Sequence, residues 1–176
     1  MSSFIGFVPT PYDEIDALFA FAPVSSSDVV YDLGSGDGRL LFAAVDKGAG
    51  RAIGVETDPG LVKTARETAI EKGLEDRVTF LDSDLMAINL EDATLVLCYL
   101  SSKASAALKP KFEAELRPGT RIVMEDFPII GWKPVRTSSG AYFHIYGGTE
   151  FYLYIMPPET TDKYLESIYP PPDQLM

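Results

Sequence analysis

Two residue types on which much catalytic and metal chemistry depends are nearly absent from this chain of 176 residues. Cys98 is its one cysteine and His144 its one histidine. An internal disulfide is therefore excluded, and we expect no metal, because neither a cysteine cluster nor a multi-histidine site can be assembled. Counting alone leaves a Ser-His-Asp triad built on His144 open, although a structural role is the simpler interpretation. Cys98 has no evident activating partner, so we expect it to be a small buried residue.

Basic residues are scarce. The chain has 15 Lys and Arg residues against 26 Asp and Glu residues, a formal net charge of −11. A surface this acidic repels phosphate backbones, and no basic cluster offsets it, so we expect no nucleic-acid partner. A basic protein or a neutral small molecule suits such a surface better.

Long hydrophobic runs are also missing. No apolar run approaches the ~20 residues that a membrane-spanning helix needs. The first residues lack the positive and long apolar regions of a secretory signal. We therefore expect a cytoplasmic protein with no membrane partner, and we expect it to be a monomer.

The length and the 46% hydrophobic content predict a single domain over residues 1–176. Within it, residues 1–27 form a leading segment with a helix, 28–156 the core, and 157–176 a Pro-rich tail.

After residue 27, short β-branched apolar runs alternate with longer amphipathic segments. This alternation is typical of an α/β fold in which helices cover both faces of a mostly parallel sheet. The expected strands are Val29–Leu33, Arg51–Glu56, Val78–Leu81, Thr94–Tyr99 and Thr120–Glu125. The expected helices are Pro11–Ala22, Gly38–Lys47, Pro59–Lys72 and Lys103–Leu116. Pro110 should either kink the last helix or mark its true beginning.

The segment Asp32 to Gly38 is the strongest functional motif. It ends an apolar strand with an acid, continues through Gly34, Ser35 and Gly36, and enters a helix. Glycines let a backbone turn tightly and approach a ligand closely. A pyrophosphate would need bare amides there, whereas Asp32 and Asp37 offer carboxylates. The turn therefore favours a ligand with a cationic amino group and a sulfonium, which describes S-adenosylmethionine.

A second acid, Glu56, ends the next expected strand, at the spacing from Gly34 typical of a ribose-binding carboxylate. NAD-dependent enzymes share that feature, but their fingerprint has glycine where this chain has Arg39. The segments Tyr142–Tyr146 and Glu150–Met156 flank Gly147-Gly148 and predict a closing antiparallel hairpin. Such an ending is typical of Rossmann-like methyltransferases rather than of dinucleotide-binding oxidoreductases.

Two further strand ends carry candidate residues. Asp84, followed by Leu85, is our candidate for reading adenine, because a carboxylate accepts from its amino group and an apolar side chain packs on its ring. A helix N-cap role for Asp82 or Asp84 is the alternative. Tyr99 and Leu100 lie at the end of the fourth strand, where a methyl group would meet its acceptor, although Tyr99 could equally belong to the core.

Several segments together resemble the small archaeal-type protein-lysine methyltransferases and their eukaryotic relatives. They are Phe7-Val-Pro-Thr-Pro11, Asp28 to Arg39, Leu108-Lys-Pro-Lys111, Pro118-Gly-Thr-Arg121 and Gly131-Trp132. The resemblance implies a seven-stranded class I fold and methyl transfer from S-adenosylmethionine to lysine ε-amines of proteins. It also implies that the Val-Pro-Thr-Pro segment covers the cofactor, with Thr10 as a contact.

The chain departs from this family pattern near the expected acceptor side. Met124-Glu125 replaces Ser-His before Asp126, and Glu150 replaces a histidine. Glu125 or Asp126, at the end of the fifth strand, could accept a proton or attract a cationic substrate, and Glu125 is our catalytic candidate. Trp132 could line a substrate groove or cover the core. A small-molecule methyltransferase and a non-catalytic S-adenosylmethionine-binding module remain alternatives.

Overall fold

The structure is a computed structural model that describes residues 10–138 and 149–160. The chain divides into two compact units, Met1–Ile88 and Asn89–Met176. The single domain over residues 1–176 stays a prediction. His144, the Gly147-Gly148 turn and tail residues 161–176 lie outside the described residues.

The first unit alternates helices and strands. Its elements are α1 (Tyr12–Phe21), β1 (Val29–Leu33), α2 (Arg39–Asp46), β2 (Arg51–Glu56), α3 (Pro59–Glu71) and β3 (Val78–Asp82). The three strands are parallel, with β2 between β1 and β3. The expected elements of this unit are confirmed, because each bound lies within one residue of its expected position.

The carboxyl ends of these strands meet at one edge of the unit. Asp32 pairs in register with Gly54, and Glu56 pairs with Asp82. The strand residues before this edge are apolar and buried, with Val30, Leu33 and Val55 at most 1% exposed. Burial of the apolar runs therefore places the acids that follow them together, as is general for the ligand-binding edge of parallel sheets.

The cap of α3 has the chemistry that its sequence predicts. The Asp58 carboxylate accepts hydrogen bonds from the backbone N–H groups of Gly60, at 2.7 Å, and Leu61, at 3.2 Å. Pro59 occupies the first turn, where its missing N–H is not needed. The helix ends before Gly73, whose φ of 64° is the left-handed conformation common after a helix.

The second unit contains one long helix and six strands in its described part. Its elements are β4 (Leu95–Cys98), α4 (Ser102–Glu115), β5 (Arg121–Glu125), β6 (Trp132–Lys133), β7 (Arg136–Thr137), β8 (Phe151–Ile155) and β9 (Glu159–Thr160). Strand β4 is parallel to β5, β8 is antiparallel to β5, and β7 is antiparallel to β8. Within the first unit the strand order is β3-β2-β1, within the second it is β4-β5-β8-β7, and β6 and β9 form a separate ribbon of the second unit.

Helix α4 begins at Ser102, so the alternative of a beginning at Pro110 is wrong. Ser101 caps the helix, its hydroxyl accepting a hydrogen bond from the N–H of Ala104 at 3.4 Å. Ser105 and Leu108 are buried within the first two turns, and this packing stabilises the helix ahead of the proline. Pro110 itself lies inside α4 on an exposed position.

The antiparallel ending expected from the sequence is confirmed for its second strand, β8. The expected partner Tyr142–Tyr146 lies outside the described residues. Arg136–Thr137 pairs with β8 as β7, a two-residue strand that its sequence does not signal.

Trp132 belongs to the core of the second unit and does not line a groove. It is fully buried, with ring centroids 6.5 Å from Phe112 and 5.9 Å from Tyr154. Its indole N–H donates to the Glu113 carboxylate at 3.3 Å. Cys98 is also fully buried, as expected.

None of the helices within residues 10–138 and 149–160 combines the length and apolar character needed to cross a bilayer.

Gly38 should be far less tolerant of a side chain than Gly48, at the other end of α2. Both have positive φ, 82° and 107°, but a Cβ on Gly38 would lie under 3.0 Å from the Phe80 ring, whereas Gly48 has open space. We expect Gly48→Ala to lower the free energy of unfolding by about 1–2 kcal/mol through backbone strain alone. Gly38→Ala should lower it by about 1–3 kcal/mol more through overpacking. Urea unfolding of both variants measures the difference, and equal losses would contradict this packing.

Candidate active site

Asp32, near the end of β1, is a buried carboxyl group. It is 3% exposed. Burial, together with the charges of Glu56 and Asp37, raises its pKa from 3.8 to about 7. A cation beside Asp32 would favour the ionised form and offset these effects. The site therefore favours a positively charged group.

The turn after β1 is bound to the end of β2. Gly34 and Ser35 donate backbone hydrogen bonds to the carbonyl of Val55, at 2.8 and 3.0 Å. Gly34 and Gly36 have φ of 92° and 53°, a conformation that residues with a Cβ rarely adopt. Ser35 is buried, and its hydroxyl has no hydrogen-bond partner within the described ranges 10–138 and 149–160. The result is a tight turn at the edge where the parallel strands end.

Glu56 braces this turn from β2. One carboxylate oxygen accepts from the N–H of Gly36 at 3.0 Å, and the other accepts from Thr57 and Asp58, at 2.7 and 2.9 Å. A weaker bond of 3.5 Å from the Thr57 hydroxyl goes to the second of these oxygens. The oxygen that accepts from Gly36 has one bond and about two acceptor positions, so it retains capacity for a ribose hydroxyl. Glu56 can therefore fix the turn and bind a sugar at once.

Asp37 does not act as a second carboxylate for a cationic ligand, because Arg39 already compensates it. The Arg39 guanidinium donates to both Asp37 oxygens, with Nη2–Oδ2 at 2.7 Å and Nε–Oδ1 at 3.0 Å. Burial alone would raise the pKa of Asp37, but the hydrogen bonds and charge of Arg39 bring it below its ordinary value. The preference of the turn for a cation therefore depends on Asp32 and Glu56.

Thr10 lies at the turn, as the resemblance implies for a cofactor contact. The residue is 5% exposed. Its carbonyl oxygen accepts a hydrogen bond from Nη1 of Arg39 at 3.1 Å. The structure therefore brings the beginning of the described chain to the glycine-rich turn.

Asp84 and Leu85 lie in the turn after β3. The Asp84 carboxylate accepts from the N–H of Met86 at 2.8 Å, and its carbonyl accepts from Ala87 at 2.9 Å. The residues directly after Asp84 form a turn and not an α-helix, so Asp84 caps a turn. Asp84 is exposed, and its contact with adenine stays a prediction.

The acceptor candidates lie in the second unit. Tyr99, directly after β4, is 37% exposed, so it is not a core residue, and Leu100 beside it is half-buried. Glu125 ends β5 and is 1% exposed. Tyr99 and Glu125 therefore lie at the carboxyl ends of the adjacent parallel strands β4 and β5.

The residues after Glu125 are held by a reciprocal pair of hydrogen bonds. Asp126 donates its N–H to the carbonyl of Glu150 at 2.7 Å and accepts from the N–H of Glu150 at 2.9 Å. Asp126 has a φ of 59°, which is uncommon for a residue other than glycine. Glu150, one of the departures from the family pattern, accepts from the Tyr152 hydroxyl at 2.5 Å. Asp126 and Glu150, two acids on this side of the second unit, are therefore joined by local hydrogen bonds.

A family model described as the ANTKMT methyltransferase domain matches residues 32–136. The chain belongs to this family. A protein-lysine N-methyltransferase of Saccharolobus islandicus is 34% identical over 156 residues, covering 86% of this chain and 94% of that protein. The adenine nucleotide translocase lysine N-methyltransferase of Mus musculus is 39% identical over 104 residues, 59% of this chain and 45% of that protein. The chain thus spans nearly all of the archaeal relative and somewhat less than half of the mouse one.

A solved structure described as an RNA methyltransferase from Salinibacter ruber in complex with S-adenosyl-L-homocysteine is 38% identical in sequence to this chain. It superposes with a TM-score of 0.80 and covers 88% of this chain and 97% of that chain. Family and structure together confirm the predicted Rossmann-like class I fold, the methyltransferase activity class and S-adenosylmethionine as the methyl donor.

Arg39 is the residue at this site whose role the sequence analysis missed. In the sequence, Arg39 was noted only because it stands where the NAD fingerprint has its third glycine. The Asp-Gly-Arg spacing was a usable signal, since a guanidinium two residues beyond an acid can reach it. The contact with Thr10, 29 residues away, has no local signal.

Asp32 should make the ligand-free protein less stable as pH rises. Because its folded pKa of about 7 exceeds the ordinary 3.8, the folded state retains a proton that the unfolded chain has lost between these values. The stability contribution is present below pH ~4 and lost above pH ~7, by up to about 4 kcal/mol. Asp32→Asn mimics the protonated form, so we expect it to match the wild type in acid and to exceed its free energy of unfolding at pH 8. Urea unfolding at several pH values measures both, and parallel pH curves for the two proteins would refute the assignment.

Proposed function

We propose that this chain transfers methyl groups from S-adenosylmethionine to lysine ε-amines of protein substrates. The observation that carries the proposal is its similarity to the Saccharolobus islandicus protein-lysine N-methyltransferase over 94% of that protein. The acidic surface of this chain also suits a cationic acceptor. A cytoplasmic location and a monomeric state are part of the proposal as sequence-based expectations.

The first unit supplies the cofactor residues in this proposal. S-adenosylmethionine would supply a methyl group on a sulfonium sulfur, which leaves readily as a neutral thioether when the acceptor amine takes the methyl group. Asp32 pairs with the cationic part of the cofactor and Glu56 accepts from its ribose hydroxyls, while the backbone of the glycine turn allows close approach. Thr10 contacts the cofactor from the preceding segment. Asp84 and Leu85 bind its adenine. The methyl group passes directly to the acceptor, so no covalent enzyme intermediate is required.

The second unit supplies the acceptor residues. A lysine ε-amine has an ordinary pKa of about 10.4 and must lose a proton before it can act as a nucleophile. In our proposal, the Glu125 carboxylate attracts the ammonium group or accepts that proton. The exposed ring of Tyr99 and the carbonyl groups at Tyr99 and Leu100 orient the amine. The protein then contributes mainly proximity and alignment.

RNA is the competing acceptor, since the Salinibacter ruber structure is described as an RNA methyltransferase. The formal charge of −11 argues against it, because each phosphate contact needs a nearby cation and the chain has 26 acids against 15 bases. Protein lysine is therefore the acceptor that we propose, and RNA is one of the outcomes of the test.

Label transfer distinguishes the acceptor classes. The chain is incubated with S-adenosylmethionine labelled on the methyl group and with a lysine-rich protein mixture, total RNA or a metabolite extract in parallel. We expect label only in protein, and acid hydrolysis should release it as methylated lysine. A protein mixture with its lysines chemically blocked is the matched control and should stay unlabelled. Label on RNA or on a small molecule, or binding without transfer, would overturn the lysine assignment.

Glu125→Gln should impair catalysis without impairing cofactor binding. The substitution keeps the shape of the buried side chain but removes its charge and its proton-accepting ability, so we expect kcat/KM for protein substrate to fall about a hundredfold. The Kd of S-adenosylmethionine, measured by calorimetry, should stay within twofold. Glu91→Gln removes the same charge at an exposed position of the second unit and is the control. Equal kcat/KM values for the two variants would exclude a specific role for Glu125.

A further inference from the structure

Arg39 makes three kinds of contact around the glycine-rich turn. Its guanidinium donates to both oxygens of Asp37, to the carbonyl of Thr10 at 3.1 Å, and lies 5.0 Å from the centre of the Tyr12 ring. The Arg39 and Asp37 side chains are 20% and 29% exposed. Partial burial weakens solvent screening, so this pair is stronger than a typical surface ion pair.

These contacts bind the beginning of α1 to the beginning of α2. Pro11 is the N-cap of α1, and the two contacts of Arg39 on that side, Thr10 and Tyr12, flank it. Arg39 is the first residue of α2, immediately after the turn. The planar guanidinium can form a fork with a carboxylate, bond a carbonyl and stack on an aromatic ring at once, which an ammonium cannot do.

The same contacts alter the charge around Asp32. Glu56 and Asp37 are the charged groups that act on Asp32 within the described parts of the chain. Arg39 compensates Asp37, so the net repulsion on Asp32 is smaller than the sequence of the turn suggests. Without Arg39, Asp37 would act on Asp32 as a bare charge.

We propose that Arg39 is a positioning residue for S-adenosylmethionine, which holds Thr10 against the glycine-rich turn and pairs with Asp37 beside Asp32. This inference rests on the proposed cofactor site. It assigns Arg39, which stands where the NAD fingerprint has its third glycine, a role in binding that composition and motif comparison do not assign.

A second contact between the same two helices provides the control. Lys47 pairs with Asp16 at 2.6 Å, and this pair is more exposed, at 36% and 78%. Lys47→Gln therefore removes a cation and a connection between α1 and α2 without touching the turn. If Arg39 only connected α1 to α2, Arg39→Gln and Lys47→Gln would have the same effect on cofactor binding.

Calorimetric titration with S-adenosylmethionine between pH 5.5 and 9 tests the inference on the full chain. We expect Arg39→Gln to weaken binding about tenfold at pH 8, the scale of losing charge-assisted hydrogen bonds. The pH at which affinity is half-maximal should also rise, because bare Asp37 disfavours ionised Asp32. Arg39→Gln combined with Asp37→Asn should return this pH to the wild-type value, while affinity stays weak because Thr10 is still not held. Arg39→Lys should leave the pH of half-maximal affinity unchanged but lose part of the affinity. Lys47→Gln should match the wild type in both quantities.

The outcomes separate this inference from the site on which it rests. If Asp32→Asn leaves cofactor affinity unchanged, the proposed site fails and the role of Arg39 fails with it. If Asp32→Asn weakens binding but Arg39→Gln and Arg39→Lys both match Lys47→Gln, the site holds and the inference is overturned. Because binding needs no acceptor, failure of the lysine assignment would not affect the result. Arg39→Lys retains the charge, so the test remains decisive even if Arg39→Gln fails to fold.

Discussion

Three carboxyl groups, those of Asp32, Asp37 and Glu56, meet around one tight turn, and like charges in a partly buried place repel each other. The first unit accommodates them in three different ways. Asp37 is paired with Arg39, Glu56 is hydrogen bonded by three backbone N–H groups, and Asp32 has its pKa raised to about 7. Only a cationic ligand would relieve the last of these, so the electrostatic cost of the ligand-free site favours the binding of such a ligand.

The second unit is organised by packing rather than by charge. Trp132 lies among Phe112 and Tyr154, and the Tyr154 hydroxyl accepts from the backbone N–H of Ile129 at 3.0 Å. This cluster fixes the chain between β5 and β7, directly after the turn at Asp126.

Cofactor and acceptor differ in how strongly this molecule specifies them. The cofactor follows from fold, turn and acids together, and the Salinibacter ruber structure, described with a different acceptor, shares the fold. The acceptor depends on a few strand-end residues, of which Glu125 and Glu150 depart from the family pattern. A charge of −11 and a buried acid at the end of β5 both favour a cationic acceptor.

Local patterns in the sequence determined the strands β1, β2 and β5 and the helices of the first unit. They also determined the positions of Asp32 and Glu56. The reason is that alternating apolar runs and local caps such as Asp58 act over a few residues. Such patterns also determined the fold class, since the turn and the antiparallel ending are local. Only the tertiary structure decided that Arg39 bonds the carbonyl of Thr10, that Trp132 is core and that α4 continues through Pro110. Each of these depends on contacts with residues elsewhere in the chain or on burial, and neither has a signature in a local stretch of sequence.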